Sequence, residues 1–556
     1  MSPTKRFFKL LKMDKKDVYQ IFFYAIFAGL VSLSLPLGIQ AIINFIQSGR
    51  VSVSWIVLVI VVVIGVALVG FLAFMQLRIT ENLQQKIFVR SSFEFAYKLP
   101  KIKFEDRYNT VYPPELANRF FDTITIQKGI SKILLDFSSA LLQIGFGIIL
   151  LSLYHPFFIV FGLLLVILLY LIFKFSYNPG VITSLKESKY KYQVADWLQE
   201  IARNKTSFRN ETNFAYALHK NDRFVGNYLQ FREQHFDIIK RQFSQLVIFK
   251  IIITAGLLLL GGYLVITQQM NIGQFVASEI VILLVINSVE KIILGLETFY
   301  DVLTSLEKIG QVTDMEFEQD DQVPNKICYT SINLELENIS LRFPDSTNEL
   351  LKKISLYISS GERIILSGKN GSGKTTLIRI LAGILSPTSG NFFVNDDSFR
   401  KINLTQYRSQ IGTIIKGETP FEGTLIENIT FNDQTVSEED IKWAIEAAQL
   451  TSFLKKLPNG LDTEILPEGK QLSSSNAQKI LIARSIVKKP KVLFYEDPTD
   501  SMDDETARKI IDFICLPEHK WTVIVTSTNP YWKEKMLRHI VMEKGRIIND
   551  KKINHA

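Results

Sequence analysis

Long uncharged runs and short alternating ones divide this chain into two halves of different character. Ile56–Phe74 carries no charge and is almost continuously Val, Ile, Leu and Phe. A helix needs about 20 apolar residues, at about 1.5 Å rise each, to cross a bilayer. Val18–Gly49 is also uncharged and contains one such span. Phe137–Phe173 is uncharged but too long for one, and Tyr154-His155-Pro156 splits it into two helices joined by a short turn. Ile251–Ser278 gives a fifth span. A sixth begins near Gly273 and runs through Val289, with Glu279 inside it. Helices of soluble proteins average only about three turns, so runs of this length point to a membrane domain.

From about Ile332 the pattern changes to short β-branched strands, Gly turns and amphipathic helices. That alternation predicts a mostly parallel sheet. Asp314–Lys326 is acidic and polar and holds Pro324, which suits a linker. The expected organisation is therefore a multidomain membrane protein. Residues 1–313 form an all-α six-helix transmembrane domain with long cytoplasmic helical extensions, 314–331 a linker, and 332–556 an α/β domain.

Charge sets the orientation. The expected outer connections, around Arg50, around His155 and at Thr267–Asn271, hold almost no Lys or Arg. The N-terminal segment carries Lys5, Arg6, Lys9, Lys12, Lys15 and Lys16, and the connections Arg78–Lys128 and Lys174–Gln245 are long and rich in both charges. The positive-inside bias puts both termini in the cytoplasm. The first apolar run is too long for a signal h-region and lacks a small-residue cleavage site, so it stays as a span. The short connections and the lack of a targeting extension suit a bacterial inner membrane.

Composition agrees. With 556 residues the chain exceeds one domain of about 100–200. It is 47% hydrophobic with 40 Phe, and its 21% of charged residues falls below the roughly 25% of soluble domains. This excludes a disordered or fibrous chain and argues against a wholly soluble enzyme. Two Cys, Cys328 and Cys515, exclude a disulfide scaffold and a cysteine-ligated metal site. The net charge of +8 reads as cytoplasmic Lys and Arg rather than as a nucleic-acid surface.

The sharpest chemical motif is Gly368-Lys369-Asn370-Gly371-Ser372-Gly373-Lys374-Thr375, followed by Thr376. It lies between the apolar strand Arg363–Ser367 and the helix Thr375–Ala382. Glycines let the backbone wrap an anion, with amides and a helix N-terminus aimed at it. Lys374 would reach the β- and γ-phosphates, and the Thr375 hydroxyl would ligate Mg²⁺.

Further along, Pro490–Tyr495 is a buried-strand pattern ending in Glu496-Asp497-Pro498-Thr499, and Asp503 follows. Upstream lie Leu472-Ser473-Ser474-Ser475-Asn476, the helix Ala477–Lys488, and the run Glu422–Ile429. Together these resemble the nucleotide-binding domain of an ABC transporter. With six spans before it, nearly the whole chain resembles an ABC exporter half-transporter. The resemblance implies that two such domains close head to tail over two ATP molecules, each site joining the phosphate loop of one chain to the signature loop of the other. One phosphate loop per chain then requires a dimer, either a homodimer or a heterodimer with a second half-transporter. It also implies that Phe343 stacks on adenine, that the signature is Ser473, Ser474, Ser475 and Asn476, that Asp503 belongs to the site, and that Pro113–Phe121 and Ile201–Asn210 are coupling segments.

Several positions depart from the family pattern. Its strand ends Asp then Glu, the first orienting the Mg²⁺ shell and the second polarising the attacking water. Here the order is Glu496 then Asp497, so Thr375 and Glu496 become the metal candidates. Lys416 stands where the family has a Gln, and an ammonium cannot ligate a cation. Thr528 stands where the family has a His. The signature has lost two glycines. These changes predict a chain that binds Mg-ATP and hydrolyses it poorly. A re-adapted pocket, with Glu496 as base and Asp497 in the metal shell, is the alternative at the site. For the whole chain the expectation is export of an unidentified substrate, with hydrolysis supplied in part by a partner. The rival is a non-hydrolysing, ATP-gated regulatory or scaffold subunit. In the membrane, Glu279 is a pathway candidate, Lys250 and Glu290 a structural pair, and Pro36 a helix kink.

Overall fold

The computed structural model describes residues 1–47, 53–103, 113–318, 329–343 and 346–553. The expected outer connection at Arg50, most of the expected linker, Cys328 and Pro344 lie outside the described residues, as do the first side chains of the expected coupling segment at 113–121. The chain divides into two compact units. The first is built on Met1–Lys101 with Val111–Glu316, and the second on Phe317–Ala556, to which Ile102 is joined by a bridge to Phe317.

The first unit is helical: α1 (Pro3–Met13), α2 (Lys15–Gln47), α3 (Val53–Lys98), α4 (Pro113–Asn118), α5 (Asp122–Tyr154), α6 (Phe157–Arg203), α7 (Glu211–Ile266) and α8 (Ile272–Thr313). The break after Tyr154 falls where the sequence placed it, with His155 extended. The Asn271 and Gln274 side chains form a reciprocal capping box that starts α8. Pro36 lies inside α2. The 47 residues of α6 and the 56 of α7, at about 1.5 Å each, far exceed a hydrocarbon core of about 30 Å.

Among the described residues five helices, α2, α3, α5, α6 and α7, contain segments long and apolar enough to cross a membrane. None of the most apolar window of α3 is buried within the chain, so that surface needs a non-aqueous neighbour. The sixth expected span, in α8, is not among the five. It is enclosed instead: Ala277, Val281, Val285, Val289, Ile293 and Leu296 are all buried, and a helix wrapped by its neighbours presents little surface to lipid. Lys250 Nζ lies 2.6 Å from Glu290, both half-buried. The expected pair between α7 and α8 is therefore formed.

The second unit begins with an antiparallel sheet made of β1 (Leu334–Leu341), β2 (Leu351–Ile358), β4 (Ser389–Val394) and β5 (Asp397–Ser398), ordered β2-β1-β4-β5. Sequence alternation alone did not separate this sheet from the parallel one. The larger sheet joins β3 (Arg363–Ser367), β6 (Ile411–Ile414), β9 (Val492–Glu496), β10 (Thr522–Thr526), β11 (Arg538–Glu543) and β12 (Arg546–Lys552), in the order β12-β11-β3-β10-β9-β6. All its pairings are parallel except β11 with β12. Its residues alternate between two cores with the strand period of two. Ile364, Leu366, Phe494 and Ile524 face the antiparallel sheet and the helix α9 (Lys374–Leu381). Ile365, Leu493, Tyr495, Val523 and Val525 face the other core. That second core is completed by α11 (Leu425–Thr430), α12 (Glu438–Ala447), α14 (Ser474–Ile486) and α15 (Asp504–Ile514). The short elements α10 (Leu404–Arg408), β7 (Gly423–Thr424), α13 (Thr451–Leu454), β8 (Glu464–Ile465) and α16 (Pro530–Lys535) lie between these and the strands along the chain, β7 pairing with β8. Both faces being covered explains why β9 and β10 are buried at every residue.

Candidate nucleotide site

Parallel pairing lines up the strand ends. Thr526 of β10 is level with Leu366 of β3 and Glu496 of β9, and Ile414 of β6 with Tyr495. The segments that leave these ends carry the phosphate loop, Glu496-Asp497, Thr528 and Lys416. Ligands of open α/β sheets bind at this carboxyl edge.

The loop after β3 turns through Gly368 at φ 144° and enters α9 through Gly373 at φ 101°. At Gly368 a Cβ would stand 2.1 Å from the Met542 carbonyl oxygen, so the position admits only glycine. Lys374 Nζ donates to the Gly368 carbonyl at 2.8 Å and to that of Lys369 at 3.1 Å. Its ammonium is thus folded back over the loop. Ser372 is buried, and Thr375 is exposed in the first turn of α9. That helix starts at Lys374, one residue before the sequence estimate.

Glu496 is the last residue of β9 and is 3% exposed. Its Oε2 accepts from the Lys416 backbone N–H at 3.0 Å. Its Oε1 accepts no hydrogen bond and lies 3.5 Å from Arg379 Nε. Burial raises its pKa above the ordinary carboxylate value, against the Lys416 amide and Arg379. Asp497 comes next at φ 46°, in the left-handed region. Burial also raises its pKa, then repulsion from Asp500, while the Thr528 backbone N–H bonded to its carboxylate opposes the rise. The Lys416 and Thr528 side chains are exposed at the same edge. The two carboxylates thus split: Glu496 points inward and Asp497 sits at the turn.

The signature residues stand on another element. Ser473 caps α14, its Oγ accepting from the Asn476 N–H at 3.2 Å. That helix begins at Ser474, earlier than the expected Ala477, so Ser474, Ser475 and Asn476 form its first turn. The Ser473 hydroxyl cap accounts for the earlier start. Asp503 caps α15, accepting from the Thr506 N–H at 2.8 Å. Phe343 follows β1 and is half-buried, on the antiparallel sheet whose β2 reaches the phosphate loop: Leu351 Cδ2 would stand 2.7 Å from a Cβ at Gly373.

Arg379 and Gln478 escaped the sequence reading; Arg484 was noted in its helix, but its contacts were not. Arg379 faces Glu496 from α9. Gln478 accepts from the Ser501 N–H at 3.1 Å and donates to the Asp497 carbonyl at 3.4 Å, tying α14 to the loop after β9. Arg484 donates to the Asn428 carbonyl at 2.6 Å and to its Oδ1 at 2.8 Å, and its guanidinium lies 5.3 Å from the Phe421 ring and 5.2 Å from the Phe431 ring. A helical Arg or Gln carries no local motif, so only tertiary structure reveals these contacts.

A glycine-wrapped phosphate loop at the carboxyl edge of a parallel sheet, in a chain with a long-helix membrane unit, defines a membrane protein with a P-loop nucleotide-binding domain. Comparisons narrow this class. Residues 351–500 match the ABC transporter family, and residues 18–202 match the ABC transporter transmembrane region. The chain belongs to the ABC transporter family and has the make-up of an exporter half-transporter, with one membrane region and one domain of the ATP-binding, ATPase kind. It is 25% identical to a multidrug resistance ABC transporter ATP-binding and permease protein of Lactococcus lactis, over 96% of this chain and 91% of that one. It is 30% identical to the alpha-hemolysin translocation ATP-binding protein HlyB of Escherichia coli O157:H7, over 52% of this chain and 41% of that one. The chain spans less than half the length of several relatives it matches. A bacterial Atm1-family ABC exporter with ATP bound has the same fold, with a TM-score of 0.82 over 97% of this chain and 95% of that one, at 17% identity.

Proposed function

We propose that this chain is the ATP-binding half of an exporter that works as a dimer, binds ATP readily and hydrolyses it slowly by itself. The observation that carries the reading is the split of the exchanged carboxylates. Glu496 is buried, held by the Lys416 amide and turned toward Arg379, which supports a place in a metal shell rather than at the attacking water. Asp497 is then left to polarise that water, one methylene short of the family's Glu. A misplacement of about 1 Å can cost about 10²-fold in rate.

The residues fit Mg²⁺: Glu496 Oε1 is a buried carboxylate oxygen without a hydrogen bond, and Thr375 offers an exposed hydroxyl. Such hard oxygens suit that ion, which would supply charge neutralisation to the phosphates. The chain's own part is to cradle phosphate with Gly368, Asn370, Gly371, Ser372 and Gly373. Lys374 supplies a positive charge, with Lys416 as a second cation at the edge, and Thr376 follows in the helix. Phe343 would stack on the base, while Ser473, Ser474, Ser475, Asn476 and Asp503 would face the nucleotide of the opposite chain. Lys416 and Thr528 add no general base.

The membrane unit would carry substrate across a cell membrane, with both termini on the cytoplasmic side and Glu279 on the path. Inverted proteoliposomes test this, holding the chain alone or with a hydrolysis-competent half-transporter. ATP-dependent uptake of a cationic dye or an unfolded polypeptide, lost in Lys374→Ala, would support export. No uptake of either with the competent partner present would favour the regulatory or scaffold reading instead.

A further inference from the structure

A cavity of about 310 Å³ lies between α1, α3, α5 and α8, wholly within the first unit. Part of its lining is apolar: Ile87, Ile126 and Leu306 are buried, and Leu10 and Ile309 half-buried. The rest is mostly charged, with the cations Arg6, Lys9, Arg90 and Lys98 against the carboxylates Glu94 and Asp314.

Pairing leaves one of these charges over. Arg6 lies on Gly310 of α8, where any Cβ would run into its guanidinium, and it pairs with Glu307 and Asp314. Asp314 also meets the amino terminus at 3.4 Å. Arg90 donates twice to Asp14, at 2.7 and 3.0 Å. Lys98 pairs with Glu94 at 2.6 Å and donates to the Thr313 carbonyl at 3.0 Å. Both carboxylates of the lining are therefore taken. Among the described residues the Lys9 ammonium has no ion pair and no hydrogen bond, and the Ser91 hydroxyl, on the same cavity, has no hydrogen bond.

We infer that this cavity binds a small amphiphilic monocarboxylate, with its charge at Lys9 and Ser91 and its apolar body among Ile87, Ile126 and Leu306. Each other ligand class leaves something unanswered. A cation finds no free carboxylate. A neutral apolar ligand would strip water from Lys9 and give it no partner. An inorganic anion would leave the apolar lining unused. A phosphate monoester brings about −1.5 to −2 charges at pH 7 against a single free ammonium. The volume is at the small end of ligand pockets, which run about 300–1,000 Å³, so one short chain fits and a two-chain lipid does not.

The test is photolabelling of the full chain in phosphatidylcholine nanodiscs, followed by peptide mapping. The probes are decanoic acid carrying a diazirine on its chain and the primary amide of the same compound. The acid should label residues 87–98 and 306–314 several-fold more than the amide does, and free decanoate should compete. Lys9→Gln, at an exposed position, should bring the acid down to the level of the amide, whereas Lys9→Arg should keep the preference. Ile309→Trp, which fills the cavity, should remove labelling of both stretches. Equal labelling by acid and amide in the wild type would overturn the proposal. So would an unchanged preference in Lys9→Gln, or labelling of these stretches that survives Ile309→Trp.

Discussion

The carboxylate of Glu496 accepts a 3.0 Å hydrogen bond from the backbone N–H of Lys416. This bond fastens the end of β9 to the segment leaving β6 and turns the carboxylate into the sheet edge. The side chain thereby reaches inward, its other oxygen 3.5 Å from Arg379 Nε; if the family order of Asp then Glu applies at this edge, the extra methylene is absorbed there.

Restoring the family order should therefore help. The double variant Glu496→Asp, Asp497→Glu is expected to raise phosphate release at saturating Mg-ATP by about 10²-fold. An unchanged or slower rate would mean that the pocket has adapted to its own order.

Gly368 tolerates no side chain. Gly368→Ala would drive a Cβ into the Met542 carbonyl at φ 144°. Strained backbone of this kind costs about 1–3 kcal/mol. The variant should melt lower and lose ATP binding. Gly371→Ala, with nothing within 4 Å of its Cβ at φ 77°, should bear only the dihedral cost, which parallel melting curves would show.

Arg484 holds the helical layer together. It meets Asn428 twice and lies over two aromatic rings, and Asn428 itself is fully buried. Arg484→Ala should cost about 1–3 kcal/mol through unsatisfied Asn428 groups. Arg484→Lys should recover little, since a lysine offers neither the fork nor the planar stack. Denaturant melts of the two variants against wild type would decide.

His519 supplies a pH dependence. Its ring lies 4.4 Å from that of Trp521 and 4.7 Å from that of Phe513, and burial lowers its pKa from the ordinary 6.5. The unfolded chain then binds the proton more tightly. Stability from this group is full above the unfolded value and is lost as pH falls below 6.5. His519→Phe should flatten that acid-side loss in melting temperature. A loss equal to that of the wild type would assign it to other groups.

Much of this was legible in the residues. The Tyr154-His155-Pro156 break, the strand Arg363–Ser367 and the phosphate loop are local signals, and the structure reproduces them. The Lys250–Glu290 pair was legible because two charges in apolar surroundings must meet. The enclosure of α8 was not, because hydropathy cannot tell a lipid-facing helix from one wrapped by others. The start of α14 at Ser474 was missed because a serine run reads as a loop until Ser473 is known to cap it. The inward turn of Glu496 depends on Lys416 and Arg379, which are 80 and 117 positions away in the chain.

The most direct measurement is Mg-ATP hydrolysis by the purified chain alone in lipid nanodiscs, beside Lys374→Ala, with ATP binding followed in parallel. The account predicts that wild type binds ATP, that Lys374→Ala does not, and that the two hydrolyse at nearly the same low rate. Brisk hydrolysis by the wild type, lost in Lys374→Ala, would contradict it and make Glu496-Asp497 a working pair.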